Sequence, residues 1–139
     1  MEQINNIIYN QKYIIYYCGS IIRIYNNDSI NNQNLIIDFK LEDNMIRDIQ
    51  FNPILSNIIL VSFYKRFSKI YEIENNTIKE KIIFEGIYDE MLISKFSYLN
   101  SNIIASLNNS KAIIIWDVRY KKYINIISDS KKKGKNIKK

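Results

Sequence analysis

Acid–base chemistry in this 139-residue chain would have to come from carboxylates, because the chain contains no histidine. The closest candidates are two adjacent acidic pairs, Glu42-Asp43 and Asp89-Glu90. A carboxylate pair can move protons when the two pKa values are pushed apart. Both pairs fall between apolar runs, in stretches that read as loops. Without histidine there is no Ser-His-Asp or Cys-His nucleophile and no HExxH zinc site. The one cysteine, Cys18, can form no intrachain disulfide and, without histidine, is no zinc site. Gly19, Gly86 and Gly134 are isolated, so no phosphate-cradling glycine pattern exists. The expectation is a non-enzymatic chain with no catalytic residue, no metal and no cofactor.

The chemistry that remains is that of binding. Tyr64-Lys65-Arg66-Phe67 sets two cations between two aromatics in a turn. Its simplest reading is a solvated turn; its functional reading is a contact for an acidic protein surface. Arg119, Tyr120, Lys121 and Lys122 form a second such group. The segment "KKKGKNIKK", Lys131 to Lys139, holds six lysines and no acid. The whole chain carries +6, with 20 basic and 14 acidic residues, so removal of those six lysines leaves residues 1–130 formally neutral. The basic character belongs to an appendage, expected as a disordered basic tail over 131–139. Put to use, such a tail would bind an acidic partner, a nucleic acid or a nuclear import receptor, with Tyr120 and Tyr123 near enough to stack on RNA bases. No apolar run approaches the ~20 residues of a membrane span. Met1 to Asn10 lacks a signal-peptide pattern, so the chain reads as cytoplasmic, with the nucleus as a second possibility and no membrane partner.

These groups must be positioned by strands. Isoleucine and asparagine are the two commonest residues, and tyrosine and lysine are abundant, as in a genome rich in A and T codons. Isoleucine and tyrosine nonetheless favour strands. Shifted against itself by 45 positions, the chain superposes Phe51 on Phe96, "SNII" at Ser56 on "SNII" at Ser101, and Ile70-Tyr71-Glu72-Ile73 on Ile115-Trp116-Asp117-Val118. Each copy reads as four short strands. "MIRDIQF", "NIILVSF", "SKIYEI" and "TIKEKIIFE" make one. "MLISKFS", "NIIASL", "AIIIWDV" and "KYINIIS" make the next. A weaker copy opens the chain with "KYIIYY", "IIRIYNN" and "LIIDFKL". "YKRF", "ENN" and "NNSK" read as turns, and Ile113-Ile114-Ile115 as a strand buried on both faces. The helical alternative fails because the apolar runs are short, β-branched and cut by asparagine pairs.

A repeat of ~40–45 residues is the period of a four-stranded propeller blade, and over residues 7–128 the chain resembles WD40-repeat proteins. Ala105 to Val118 aligns without gaps to the family pattern "LASGSDDGTIRLWDV", matching at Ser106, Ile113, Trp116, Asp117 and Val118. The resemblance implies an all-β fold of WD40-type β-propeller blades, about three of them, each four-stranded and antiparallel. They would lie over residues 1–130, at approximately 7–41, 45–85 and 91–128. It casts Ser106, Asn109, Trp116 and Asp117 as structural residues, with Asn109 at the place of the family's turn Asp. Trp116 reads as core rather than as a ligand platform. The Gly-His dipeptide of the family is absent and the Trp is Tyr in the other copies, so the family's hydrogen-bond tetrad is incomplete. Looser blades are expected.

Propellers close with ~4–8 blades, so three make an incomplete ring with open sheet edges. Three routes would cover them: a longer gene product, self-association, or donation of blades to a partner's ring by strand addition. The function expected is a non-catalytic protein–protein scaffold. Three narrower readings accompany it. The order "IRDIQFNP", "KIYEI", "NIIAS", "AIIIWDV" is similar to the early blades of coronin-like proteins and would imply actin-filament binding. "WDVR" resembles the box by which WD40 substrate receptors dock on a cullin-RING ubiquitin ligase, with Arg119 as the contact. The basic tail would imply RNA binding.

Overall fold

The structure is a computed structural model that describes residues 6–27, 34–41, 44–86 and 89–128. The basic tail and Glu42-Asp43 lie outside the described residues. Among the described residues, twelve strands form three separate four-stranded antiparallel sheets, each a meander in chain order. The first blade holds β1 (Asn6–Tyr9), β2 (Tyr13–Cys18), β3 (Ile21–Asn26) and β4 (Leu35–Lys40). The second holds β5 (Ile46–Phe51), β6 (Ile58–Phe63), β7 (Phe67–Glu74) and β8 (Thr77–Glu85). The third holds β9 (Met91–Phe96), β10 (Ile103–Asn108), β11 (Ile113–Asp117) and β12 (Lys122–Ile127). The first strands β1, β5 and β9 approach one another in turn, and β4 meets β8 at the periphery. The three sheets therefore stack as the repeat predicts.

The middle blade explains why "IILVSF" reads as one apolar run. Successive strand residues point to opposite faces, and here both faces are covered. Ile59, Val61 and Phe63 join a core with Ile15, Tyr17 and Ile24 of the first blade. Leu60 and Ile70 join a second core with Ile104, Ile114 and Trp116 of the third. The same logic corrects the reading of Ile113-Ile114-Ile115. Ile114 is buried, but Ile113 is 38% exposed, because no described residue packs on the outward face of the third blade.

Local chemistry sets the turns. The two-residue β7–β8 loop is Asn75-Asn76, with φ of 49° and 60°. Two positive φ angles are what a type I′ hairpin requires, and asparagine tolerates them. Each blade also carries a register shift at the same place: between Ile24 and Tyr25, Ile70 and Tyr71, and Ile115 and Trp116. The strand-ending aromatic thus follows a bulge in every copy, where the extra residue re-aims the side chain.

Candidate functional site

The β6–β7 turn is one residue shorter than its sequence suggests. Tyr64, Lys65 and Arg66 are exposed, while Phe67 opens β7 and is half-buried. The Phe67 ring tilts against Phe63 with centroids 5.2 Å apart, and Lys69 Nζ lies 5.4 Å from its centre. The Tyr64 backbone N–H donates to the Met45 carbonyl at 3.0 Å. Over the Tyr64 ring, at 4.2 Å from its centroid, sits the guanidinium of Arg47. A cation over an aromatic face is held by the ring quadrupole. Arg47 falls where the β5–β6 register slips between Ile46 and Asp48, and its Nε is buried with no hydrogen-bond partner among the described residues. Nothing in the strand pattern of "MIRDIQF" marks it, because the bulge arises only from pairing with β6.

Glu90 closes this end. It lies 3.9 Å from Arg47 Nη2, and it accepts from Asn109 Nδ2 at 3.2 Å; the Asn109 backbone N–H donates to its carbonyl at 3.0 Å. Gly86 donates its backbone N–H to the Arg66 carbonyl at 2.5 Å. A β-carbon at Gly86 would stand 2.3 Å from the Asp89 carbonyl oxygen, so only glycine lets the link to β9 pass so close.

Arg119 to Lys122 lie at the opposite end. The chain reverses at each antiparallel turn, so the β6–β7 and β11–β12 connections cannot share one end. The two cationic groups therefore form two surfaces. Asp117 is buried, and its carboxylate accepts from the Arg119 backbone N–H (3.0 Å), Nε (3.0 Å) and Nη2 (2.6 Å). Those hydrogen bonds to Arg119 hold the Asp117 carboxyl below its ordinary range and raise Arg119. Tyr120 is 65% exposed, its ring 5.4 Å from the Arg119 guanidinium; Lys121 turns with φ of 53°, and Lys122 opens β12. A depressed folded pKa contributes stability above the unfolded value and loses it as pH falls through the folded value. Urea midpoints of the protein should therefore decline as pH drops below about 4. The Arg119→Ala variant, measured alongside, should lose part of that dependence.

The joint between the second and third blades is tied by buried hydroxyls. The Trp116 indole N–H donates to Ser106 Oγ at 3.0 Å. Ser106 Oγ lies 2.7 Å from Ser94 Oγ, and that lies 2.8 Å from Ser68 Oγ. The Ser94 backbone N–H donates to Ser62 Oγ at 3.0 Å. This chain of serines draws on β6, β7, β9 and β10. The β10–β11 turn is closed by Asn108 rather than Asn109. Asn108 is buried, and its Oδ1 accepts from the Ala112 N–H at 2.8 Å and from the Ser110 hydroxyl at 3.0 Å. Asn109 is exposed and faces Glu90. The end carrying the β1–β2, β5–β6 and β9–β10 loops is apolar, with Tyr9, Ile54, Leu55, Tyr98 and Leu99 exposed. Sequence spacing gives no sign of that cluster, which comes from three different blades.

Among the described residues no group of three metal-ligating side chains occurs, and no helix is long and apolar enough to cross a membrane. No protein-family model matches the chain, and no curated protein matches it. Among solved structures, the crystal structure of the WD40 domain of coronin from Toxoplasma gondii is similar, with a TM-score of 0.67 and 16% identity. The match covers 86% of this chain and 31% of that one. At this identity the likeness shows the fold, that of WD40-type propeller blades.

Proposed function

On a chain with the blade fold of a WD40 propeller, we propose a non-catalytic scaffold that binds an acidic protein surface through its β6–β7 end. The specific partner we propose is an actin filament, the coronin-like reading, with action in the cytoplasm. One observation carries it: Lys65 and Arg66 stand exposed beside Tyr64, itself backed by the Arg47 guanidinium 4.2 Å above its ring. Such a surface attracts acidic partners at a distance and is weakened by salt. Glu90 and Asn109 fix the side of the turn that meets the third blade. The ligase-receptor reading is less well supported, because the fork of Arg119 already grips Asp117. The RNA reading rests chiefly on the lysine tail, which lies outside the described residues.

Co-sedimentation with actin filaments tests the proposal. The double charge reversal Lys65→Glu/Arg66→Glu is expected to weaken binding at least about tenfold, the loss expected when opposed charges become like charges. Arg119→Ala should leave binding unchanged. Binding that survives the double reversal would remove this surface from the reading. Absence of the unmodified chain from the filament pellet at low salt would remove actin.

A further inference from the structure

Among the described residues nothing covers the two outward faces of the three-blade stack, and both carry exposed apolar side chains. The first blade presents Ile7 (66% exposed) and Tyr9 (76%); the third presents Leu107 (37%), Ile113 (38%) and Ile127 (53%). Large exposed apolar faces on a folded chain mark contact surfaces. The strand registers say what each face would accept.

Three positions are equivalent at every joint between blades. On the face that a blade turns to its successor, the two middle strands place Tyr17 opposite Ile22 in the first blade, Ser62 opposite Ser68 in the second, and Leu107 opposite Ile113 in the third. On the face turned to its predecessor, the first strand places Ile7 opposite Tyr16, Ile49 opposite Val61 and Ser94 opposite Ser106. Where the second blade meets the third, Ser94 touches both members of the opposing pair, Ser62 and Ser68. Where the first meets the second, Ile49 shares one core with Tyr17 and Ile22. A joint is thus polar on both sides or apolar on both sides. A mismatch would bury a hydroxyl without a partner, which costs ~1–3 kcal/mol. The members left over are Leu107 with Ile113 on one outward face and Ile7 on the other, so both are apolar.

We propose that the open face of the third blade receives the open face of the first blade of a second copy, head to tail, so that two copies close one six-bladed ring. For the 139 residues tested below, the blade count suits two copies. One chain supplies three blades, closed propellers hold ~4–8, and a third copy would exceed that range. The area is sufficient. A face of four strands of about six residues measures roughly 19 by 20 Å. Four such faces are covered at the two joints, on the order of 1,500 Å², within the ~1,200–2,000 Å² of stable interfaces. The polar residues at the rim fit as well. Arg23 and Asp38, 3.3 Å apart, hold the outer edge of the first blade's open face. Lys69 and Glu80, 2.6 Å apart, do the same at the outer edge of the covered joint beside Phe39 and Lys40. This inference does not depend on which partner the loops bind.

Sedimentation equilibrium on the 139-residue chain tests it. The expected mass is twice the 16.6 kDa of one chain. Leu107→Lys and Ile7→Glu should each halve that mass while the strand signal in circular dichroism persists. An equimolar mixture of the two variants should restore the doubled mass. In that mixture one joint sets the new lysine against the new glutamate, and the other keeps Leu107 against Ile7. A wild-type chain that stays single, or that grows into an open series or an aggregate, overturns the proposal. So does a doubled mass that survives either substitution, or a mixture that stays single. Should a charged variant unfold, Ile7→Cys/Leu107→Cys in a Cys18→Ser background decides instead. Oxidation should then link two chains, and failure to link them overturns the proposal.

Discussion

Trp116→Ala is expected to destabilise the protein by about 3–5 kcal/mol, the usual cost of removing a large aromatic from a packed core. Trp116 is 5% exposed, lies 5.4 Å from the Phe84 ring and 6.1 Å from Tyr123, and donates its indole N–H to Ser106. One side chain therefore joins β11 to the second blade, to the outer strand β12 and to the serine chain. A domain of this size holds only ~5–15 kcal/mol in total, so the loss takes a large share of the margin. Trp116→Phe separates the two contributions. It keeps a ring against Phe84 but leaves Ser106 without its donor, and should cost less, about 1 kcal/mol for the hydrogen bond plus the lost packing of the second ring. Urea unfolding followed by circular dichroism measures both. In the unmodified protein Trp116 is the one tryptophan, so its emission reports the joint directly. An alanine variant within 1 kcal/mol of the parent would mean that this joint does not hold the stack together.

The second large effect is non-additive. Ser94→Ile alone forces two extra heavy atoms among Ser62, Ser68 and Ser106 and removes the hydroxyl they share. Overpacking costs ~1–3 kcal/mol, and each stranded hydroxyl adds ~1–3 kcal/mol. The triple change Ser62→Leu/Ser68→Ile/Ser94→Ile copies the set Leu107, Ile113 and Ile7. It should recover part of that loss, because no hydroxyl of Ser62 or Ser68 is then stranded against the isoleucine, while Ser106 keeps its bond from Trp116 and the backbone N–H at position 94 gives up Ser62 Oγ. Comparing the single variants with the triple by urea unfolding gives the coupling between positions in contact. A triple variant less stable than Ser94→Ile would show that polarity is not matched across a joint.

The same physics explains how much could be read in advance. Eleven of the strands announce themselves as apolar, β-branched runs interrupted by asparagine pairs, and their 45-residue spacing gives the blade. The opening strand β1 is missed because "NIIY" is four residues long with an exposed Ile7 and Tyr9, too short to show a period. The outer strand β12 is visible in sequence although all of its residues are exposed. Phe67 was expected in a turn because it follows Tyr-Lys-Arg, and it joins β7 because its ring has Phe63 to pack on.

The sequence by itself determined all strands but the first, the repeat, the four-stranded blade and the lack of a histidine-based site. All of these follow from residue type and local periodicity. Only the tertiary structure decided which chemistry meets which. Ser62, Ser68, Ser94 and Ser106 are scattered over four strands and become one chain only when two sheets stack. Arg47 reaches Tyr64 only because pairing with β6 slips at a bulge. Asn108 rather than Asn109 closes its turn because a strand buries alternate residues, and the register puts Asn108 inward. The two basic groups, alike in composition, face opposite ends because an antiparallel chain reverses at every turn. Such relations depend on distances between residues far apart in the chain, and these are set by packing rather than by local preference.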